Sequence, residues 1–519
     1  MRKDILLIHV PKFNNYYRPI NRFSFILYHP IGLLGLVDFA EQNGLSSLVV
    51  DLGVEKRKRG SIDITGLINR YDPDIIGLSL HFHFQSYDVI EVAKQIKSRF
   101  PNIPIVLGGF TASYFAEEIM HSFPFIDYVI RGDAEIPLVW LTQCVKKRQE
   151  PREVPNLVYR RNSHIVRNAN TYVATQDALD RINFTRFESI KDFPDFFESL
   201  HASYFRVDGI SRRTHNLLFG DEKVYPVYMG RGCLHNCSYC GGGVSADRLI
   251  NNRVGVVLRS AEKIAESVRN IEKAGFHGAA LFHDMHPPNQ ADTFYGEIFD
   301  RLRTPPLSIA MEVERYNLPS EEFIRRFKET FSHHDSFISL SPSHASADIR
   351  RKNNVYRYSN EDLERCLAML DAYQVKSLVS FALGLPFESR EDIALMIRYQ
   401  RSLRKRFKYI QMRTCLIEVE PCSELSRNPA TFHIELNRRT FMDYYRYHSD
   451  PNRNHKLERG YSGQELPDLD FIRSSLCKNF CLVFKAGFLS PILCKAAGFA
   501  WKCGLIGAID KMFIAQRRS

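Results

Sequence analysis

The sequence predicts an α/β protein with two successive parallel-sheet domains and a mainly helical end. Three observations predict it. Short apolar runs alternate with segments of helical period over residues 1–150. The alternation lapses over 151–223 and resumes over 224–425. Beyond 426 the pattern is mainly helical. At 519 residues the chain is too long for one core, and about three domains are expected.

In the first block, "DILLIHV" (4–10) is a continuous apolar run, as a strand buried on both faces should be. "PIGLLGLVDFAEQNG" (30–44) has helical spacing, Pro near its start and Gly at its end. "SLVVDL" (47–52), a helix near 62–70, "IIGLSL" (75–80) and a helix over 86–99 follow. "IPIVLGG" (103–109), a helix near 111–122 and "DYVIRGD" (127–133) complete five strands. This is a doubly wound, Rossmann-like order, with ligands expected at the carboxyl ends of the strands. Residues 151–223 read as a connecting segment containing a hairpin, "NLVYRRNSHIVRN" (156–168).

The second block offers strands "VYPVYMG" (224–230), "GAALFHD" (278–284), "LSIAMEV" (307–313), "SFISLS" (336–341), "VKSLVSFALG" (375–384) and "YIQMRTCLIEV" (409–419). Helical patterns lie near 260–274, 291–303, 320–330, 360–373 and 388–404. Six β/α units make a partial TIM-type (β/α)6 barrel, whose chemistry belongs on the loops after its strands.

Composition excludes several classes. A net charge of +11 is mild over this length, and the densest basic run, "RSLRKRFK" (401–408), suits the carboxyl end of a helix. No aromatic residues interleave with it in the manner of single-strand binders, so no nucleic-acid partner is expected. The run in "MRKDILLIHVPKF" is too short for a signal peptide, and no stretch of 18 residues is free of charge. Eleven cysteines without a secretion signal read as reduced thiols, and a cytoplasmic location is expected. The segment over 481–513 is apolar but interrupted by Lys485, Lys495, Lys502 and Lys511. Packing against the barrel is its expected role, with membrane-surface association the alternative. Cys477, Cys481, Cys494 and Cys503 lack a C-x2-C pair and are expected to be free thiols in helices.

The chemical signal is "GRGCLHNCSYCGGG" (230–243), which follows the first barrel strand. Cys233, Cys237 and Cys240 stand in C-x3-C-x2-C spacing without a fourth cysteine nearby. Structural zinc takes four protein ligands, which would require a distant residue or His235. An iron–sulfur cubane held by three cysteines keeps one iron open for something else. Gly232 and Gly241–Gly243 let backbone approach such a group closely.

"CLHNCSYC" after a first barrel strand resembles the signature of radical S-adenosylmethionine enzymes. The order of "PIGLLGLVDFAEQNG", "PDIIGLSL", "IPIVLGG" and "IDYVIRGDAE" ahead of it is similar to the cobalamin-binding subclass of that family. The resemblance spans residues 1–425. It implies a cobalamin-binding domain over 1–150, a linker over 151–223, a radical S-adenosylmethionine barrel over 224–425 and a helical region over 426–519. It also implies three cofactors: a [4Fe–4S] cluster on the three cysteines, S-adenosylmethionine on the open iron, and cobalamin.

Further site residues follow from the resemblance. Tyr239 matches the aromatic before the third cysteine. Asp284 stands where a contact to the methionyl amine is expected, although the usual Gly-Gly-Glu is absent. Glu312, Ser339 and Ser341 are candidates for the carboxylate and ribose. Gly384 and Pro386, in "FALGLPFES" (381–389), would shape the loop near adenine, though a turn after a strand also explains them. Ser79, Gly108 and Gly109 match positions lining a cobalamin tail, though any doubly wound fold turns with glycine there. Asp-x-His-x-x-Gly is absent, so no lower cobalt ligand is assigned, and His9, His29, His81 and His83 read as structural or surface histidines. No catalytic residue is assigned.

The resemblance implies class B methyl transfer to an unactivated carbon of a small-molecule or peptide substrate, with electrons from a donor such as flavodoxin or ferredoxin. Cyclisation, rearrangement or oxidation without methyl transfer is the first alternative. A zinc-stabilised, non-catalytic binding protein is the second.

Overall fold

The computed structural model describes residues 2–14, 29–200, 223–282, 284, 290–451, 458–463, 466–468 and 471–472, together with the backbone of 16–17, 22–26, 205–207 and 288–289. Cys477, Cys481, Cys494, Cys503 and the apolar segment over 481–513 lie outside the described residues. The chain forms two compact units. The first comprises Met1–Lys223, Asp247–Val257 and Arg438–Arg453; the second comprises Val224–Ala246, Leu258–Asn437 and Asn454–Ser519.

The first unit is built on strands β1 (Ile5–His9), β2 (Ser47–Asp51), β3 (Ile75–Ser79), β4 (Ile105–Gly108), β5 (Tyr128–Ile130), β6 (Leu157–Arg161) and β7 (His164–Arg167). They form one sheet in the order β2-β1-β3-β4-β5-β6-β7. The pairings are parallel through β5 and antiparallel for β6 and β7. The expected hairpin therefore exists, but it extends this sheet rather than standing in a bare connection.

Every residue of β1 is buried, which is why it reads as an unbroken apolar run. The helices are α1 (Ile31–Gln42), α2 (Leu52–Arg59), α3 (Ile64–Tyr71), α4 (Ser86–Arg99), α5 (Phe110–Tyr114), α6 (Ala116–Ser122) and α7 (Glu135–Lys147). The helix expected near 111–122 is thus two helices that meet at Phe115. β1 lies between β2 and β3, so the order reverses there and the crevice at the strand carboxyl ends is the ligand position of such a fold.

The second unit carries β8 (Val224–Val227), β9 (Gly278–Leu281), β10 (Ala310–Arg315), β11 (Phe337–Ser343), β12 (Lys376–Leu383) and β13 (Ile410–Leu416). They pair in chain order, all parallel. This is the six-strand open barrel the alternation predicts. Its helices are α8 (Val244–Asn251, which runs on into the first unit), α9 (Ala261–Lys273), α10 (Pro288–Arg303), α11 (Glu321–Thr330), α12 (Ala347–Lys352), α13 (Asn360–Ala372) and α14 (Arg390–Arg406).

Capping fixes where several of these helices start. Ser359 with Asp362, and Ser389 with Asp392, form reciprocal capping boxes. Arg404, Lys405 and Arg406 fill the last turn of α14, where cations suit the dipole. After the barrel, α15 (Phe441–Ser449) belongs to the first unit, and its Phe441 and Tyr444 join the core of that unit. No helix among the described residues is long and apolar enough to cross a membrane.

Candidate cofactor sites

In the second unit the cysteine loop follows β8. Cys233, Cys237 and Cys240 are half-buried free thiols. Each sulfur accepts an N–H. Cys233 takes the His235 amide at 3.3 Å, Cys240 the Gly242 amide at 3.4 Å, and Cys237 the Nη2 of Arg357 at 3.3 Å. Burial raises the pKa of Cys233 and Cys240. Bound iron would offset that cost by taking the sulfurs as thiolates.

Other residues hold the loop open. Gly232 has φ 94°, a left-handed conformation. A Cβ on Gly241 would stand 2.5 Å from the carbonyl oxygen of Pro421, while the Gly241 amide donates to Oε2 of Glu420 at 2.8 Å. Asn236 Oδ1 accepts from the Ser245 amide and hydroxyl at 3.2 and 2.7 Å. Asn353, fully buried, donates through Nδ2 to the carbonyls of Ile349 and Pro386, each at 3.0 Å.

Among the described residues the three cysteine sulfurs do not form a set within 4.8 Å of one another, whereas His333, His334 and Asp335 do. A single zinc with Zn–S near 2.3 Å would draw its sulfurs to about 3.8 Å. A cubane, whose cysteines each bind a different iron, holds them much further apart. The His235 ring packs edge-on against Tyr316 at 5.6 Å, and burial with the Arg357 charge pushes its imidazolium down to about 4.

The remaining residues of the barrel fall into two groups. Asp284 is buried, and its Oδ2 accepts from Arg315 Nε at 3.1 Å and the Tyr316 amide at 3.0 Å. Among the described residues, its Oδ1 has no hydrogen-bond partner, and neither has the buried Oγ of Ser339. Such orphaned atoms fit a polar ligand that the protein alone does not supply. Glu312 lies in the middle of β10, which runs on to Arg315, and β11 continues two residues past Ser341. Both candidates therefore sit within strands rather than at the strand ends where the sequence placed them.

The second group shapes loops. Gly384 has φ 80°, and a Cβ there would stand 2.7 Å from Leu416. Its amide donates to Oε2 of Glu388 at 2.6 Å, and Glu388 Oε1 pairs with Nε2 of fully buried His344 at 3.1 Å. Burial holds the Glu388 carboxyl above its usual range. Tyr239 packs against two small apolar clusters, one including Val419 and Tyr461, the other Ala382 and Leu385.

In the first unit, Ser79 and Gly108 are register partners at the carboxyl ends of β3 and β4. A Cβ on Gly108 would meet nothing within 4 Å, so that edge stands open to a ligand. Gly109 differs. Its φ is 105°, and a Cβ would stand 2.8 Å from both the Leu80 carbonyl oxygen and the His81 Cα, so the turn itself requires glycine. His9 Nδ1 pairs with Asp51 Oδ2 at 2.8 Å, and His83 Nδ1 with His448 Nε2 at 3.3 Å. The ring of His81 lies edge-on to Phe82 and Phe110.

Asn353, Arg357, Glu420 and His344 are absent from the residues the motifs single out, whereas Glu388 falls within "FALGLPFES". Each reaches the site from a distant part of the chain, and no spacing rule links it to the cysteines.

A doubly wound domain, then an open six-strand barrel with three cysteines in the loop after its first strand, is the arrangement the resemblance to radical S-adenosylmethionine enzymes with a cobalamin-binding domain implies. Comparison with known proteins agrees. Residues 25–141 match the B12 binding domain and residues 227–399 the Radical SAM superfamily. The chain belongs to the cobalamin-dependent radical S-adenosylmethionine enzymes.

Its relatives include an uncharacterized methyltransferase of Pyrococcus horikoshii, 24% identical over 343 residues, which are 66% of this chain and 67% of that protein. A hopanoid C-3 methylase of Methylococcus capsulatus is 24% identical over 252 residues, covering 48% of this chain and 42% of that one. The chain thus spans less than half of the methylase. The fold is similar to that of the radical S-adenosylmethionine methyltransferase TsrM from Kitasatospora setae, solved with cobalamin and a [4Fe–4S] cluster. The TM-score is 0.63 at 15% identity, over 94% of this chain and 90% of TsrM.

Proposed function

We propose that the chain transfers a methyl group to an unactivated carbon of a small-molecule or peptide substrate. The observation that carries this reading is the loop of three cysteine sulfurs, each accepting an N–H, in a chain that also holds a B12 binding domain. Relatives described as methyltransferases favour methyl transfer over the other outcomes of radical chemistry. Bound here, the cluster with S-adenosylmethionine supplies radical hydrogen abstraction, and cobalamin supplies a transferable methyl group.

The chain's own residues bind and orient. Cys233, Cys237 and Cys240 hold the cluster. Asp284, through its unpartnered oxygen, and Ser339 accept polar groups of S-adenosylmethionine, with Glu312 and Ser341 on the neighbouring strands. Gly384 and Pro386 set the backbone beside the adenine, and Tyr239 anchors the cysteine loop to the barrel. Ser79 and Gly108 line the cobalamin tail, while Gly109 makes the turn that presents them. An electron donor of the flavodoxin or ferredoxin type reduces the cluster, and the protein works in the cytoplasm.

Iron and cobalt counts test this reading after anaerobic reconstitution with iron, sulfide and hydroxocobalamin. About four irons and one cobalt per chain are expected. S-adenosylhomocysteine should accompany turnover. Iron without cobalt would leave a radical enzyme and remove the methyl-transfer reading. 5′-Deoxyadenosine without S-adenosylhomocysteine would shift it to cyclisation, rearrangement or oxidation.

A further inference from the structure

The three cysteine sulfurs receive donors of different kinds. Those to Cys233 and Cys240 are neutral backbone amides of the loop itself. The donor to Cys237 is the guanidinium of Arg357, which reaches the sulfur from outside the loop. Among the described residues, Cys237 is thus the sulfur that meets a charged donor.

Arg357 is fixed in place. It lies between α12 and α13, where Asn353 is tied to the cysteine loop through Ser238 and the neighbouring Tyr358 carbonyl accepts from Arg350 Nη1 at 2.8 Å. Its guanidinium lies 5.4 Å from the ring centre of Tyr316. Its Nε is buried and has no hydrogen-bond partner among the described residues. A half-buried guanidinium whose buried Nε is left unsatisfied is costly to keep for loop structure alone, since the backbone already supplies the donors to the other two sulfurs.

We infer that Arg357 is a positioning residue that raises the reduction potential of the cluster through the Cys237 sulfur. This rests on the reading of the three cysteines as cluster ligands. The couple takes one electron from an external low-potential donor, and the added negative charge spreads onto the sulfurs. A cationic N–H against one sulfur stabilises the reduced form more than the oxidised form, and hydrogen bonds to sulfur are a recognised determinant of cluster potential.

The test uses the full chain, reconstituted anaerobically without S-adenosylmethionine, as wild type, Arg357→Gln, Arg357→Lys and Arg351→Gln. Iron is counted, and the midpoint potential is read by electron paramagnetic resonance during a reductive titration. Arg351 is an exposed residue on α12 and controls for simple loss of charge.

Arg357→Gln should hold four irons and shift to a more negative midpoint. A tenfold loss of reduced cluster at fixed poise corresponds to about 59 mV for one electron. Arg357→Lys should shift less, and Arg351→Gln should match wild type. An Arg357→Gln protein with four irons and an unmoved midpoint overturns the inference, as does a midpoint moved equally by Arg351→Gln. Failure of both Arg357 variants to hold four irons would make Arg357 an assembly residue and overturn it too. A wild-type chain that holds no iron would instead defeat the cluster reading itself.

Discussion

Ser238 donates its hydroxyl to Asn353 Oδ1 at 2.8 Å and its amide to the Asn353 carbonyl at 3.0 Å. A single buried asparagine therefore grips the cysteine loop by both side chain and main chain. The same Asn353 reaches Pro386 beyond β12, so the cysteine loop and the Gly-Leu-Pro turn share one anchor. Asn353→Ala would strand the Ser238 hydroxyl and the Pro386 carbonyl in a dry setting. A loss of about 2–4 kcal/mol is expected in denaturant unfolding, together with fewer irons per reconstituted chain. A variant that unfolds like wild type and holds its full iron would refute the anchor.

The two glycines after β4 should separate under mutation. Gly109→Ala forces a Cβ against the Leu80 carbonyl at a φ of 105°, and a loss of about 1–3 kcal/mol is expected. Gly108→Ala points into open space and should leave the melting temperature unchanged. If that space takes the cobalamin tail, Gly108→Ala should bind hydroxocobalamin several-fold more weakly in a spectrophotometric titration. Equal affinity to wild type would remove Gly108 from the site.

Acid should loosen the first unit through His83. Burial, with the Arg438 guanidinium nearby, pushes the His83 imidazolium from 6.5 down to about 3. Between those values the unfolded chain binds a proton that the folded chain refuses, so stability rises with pH across that window. The contribution is complete above 6.5 and is lost as pH falls toward 3. One such histidine accounts for about 1.4 kcal/mol per pH unit within the window. His29, pushed down by burial to about 3 as well, adds a like share, so unfolding measured at pH 7 and pH 5 should show at least that slope, and His83→Asn should reduce it by about 1.4 kcal/mol per pH unit. A slope unaltered by the substitution would assign the acid sensitivity elsewhere.

Asp284 carries structural weight as well as its candidate ligand role. It faces Arg315 with both side chains at most 1% exposed, and Arg315 keeps a second partner in Asp292 at 2.9 Å. Asp284→Asn should cost about 3 kcal/mol, because it halves the compensation of a buried guanidinium. Equilibrium dialysis against S-adenosylmethionine would show whether the oxygen without a partner also binds ligand. Wild-type stability and unchanged affinity after this substitution would deny both roles.

The parallel strands are legible because they are buried on both faces and read as apolar runs. β10 shows where this fails. Met311, Val313 and Arg315 are buried while Glu312 and Glu314 are half-buried, so the charged tail of the strand looks like a loop in sequence. α2 escapes notice for a related reason. Its "EKRKR" stretch has no apolar stripe, and its clearest sign is Asp51, whose Oδ1 accepts from the Gly53 and Val54 amides. The three cysteines announce themselves by spacing. Arg357 and Asn353 do not, because the fold rather than the local sequence brings them to the loop.

The first unit takes its last piece, Arg438–Arg453, from beyond the whole barrel. On the ribosome, residue 453 emerges long after residue 223. At about 5–20 residues per second the gap is of order tens of seconds. The nascent unit must wait through the synthesis of its neighbour with the seats of Phe441 and Tyr444 unfilled, exposed to chaperones and proteases. No single cut of the chain releases it whole. An excised fragment of residues 1–223 would lack part of its own core, and a circular permutant that joins 438–453 to it would be the better isolated domain.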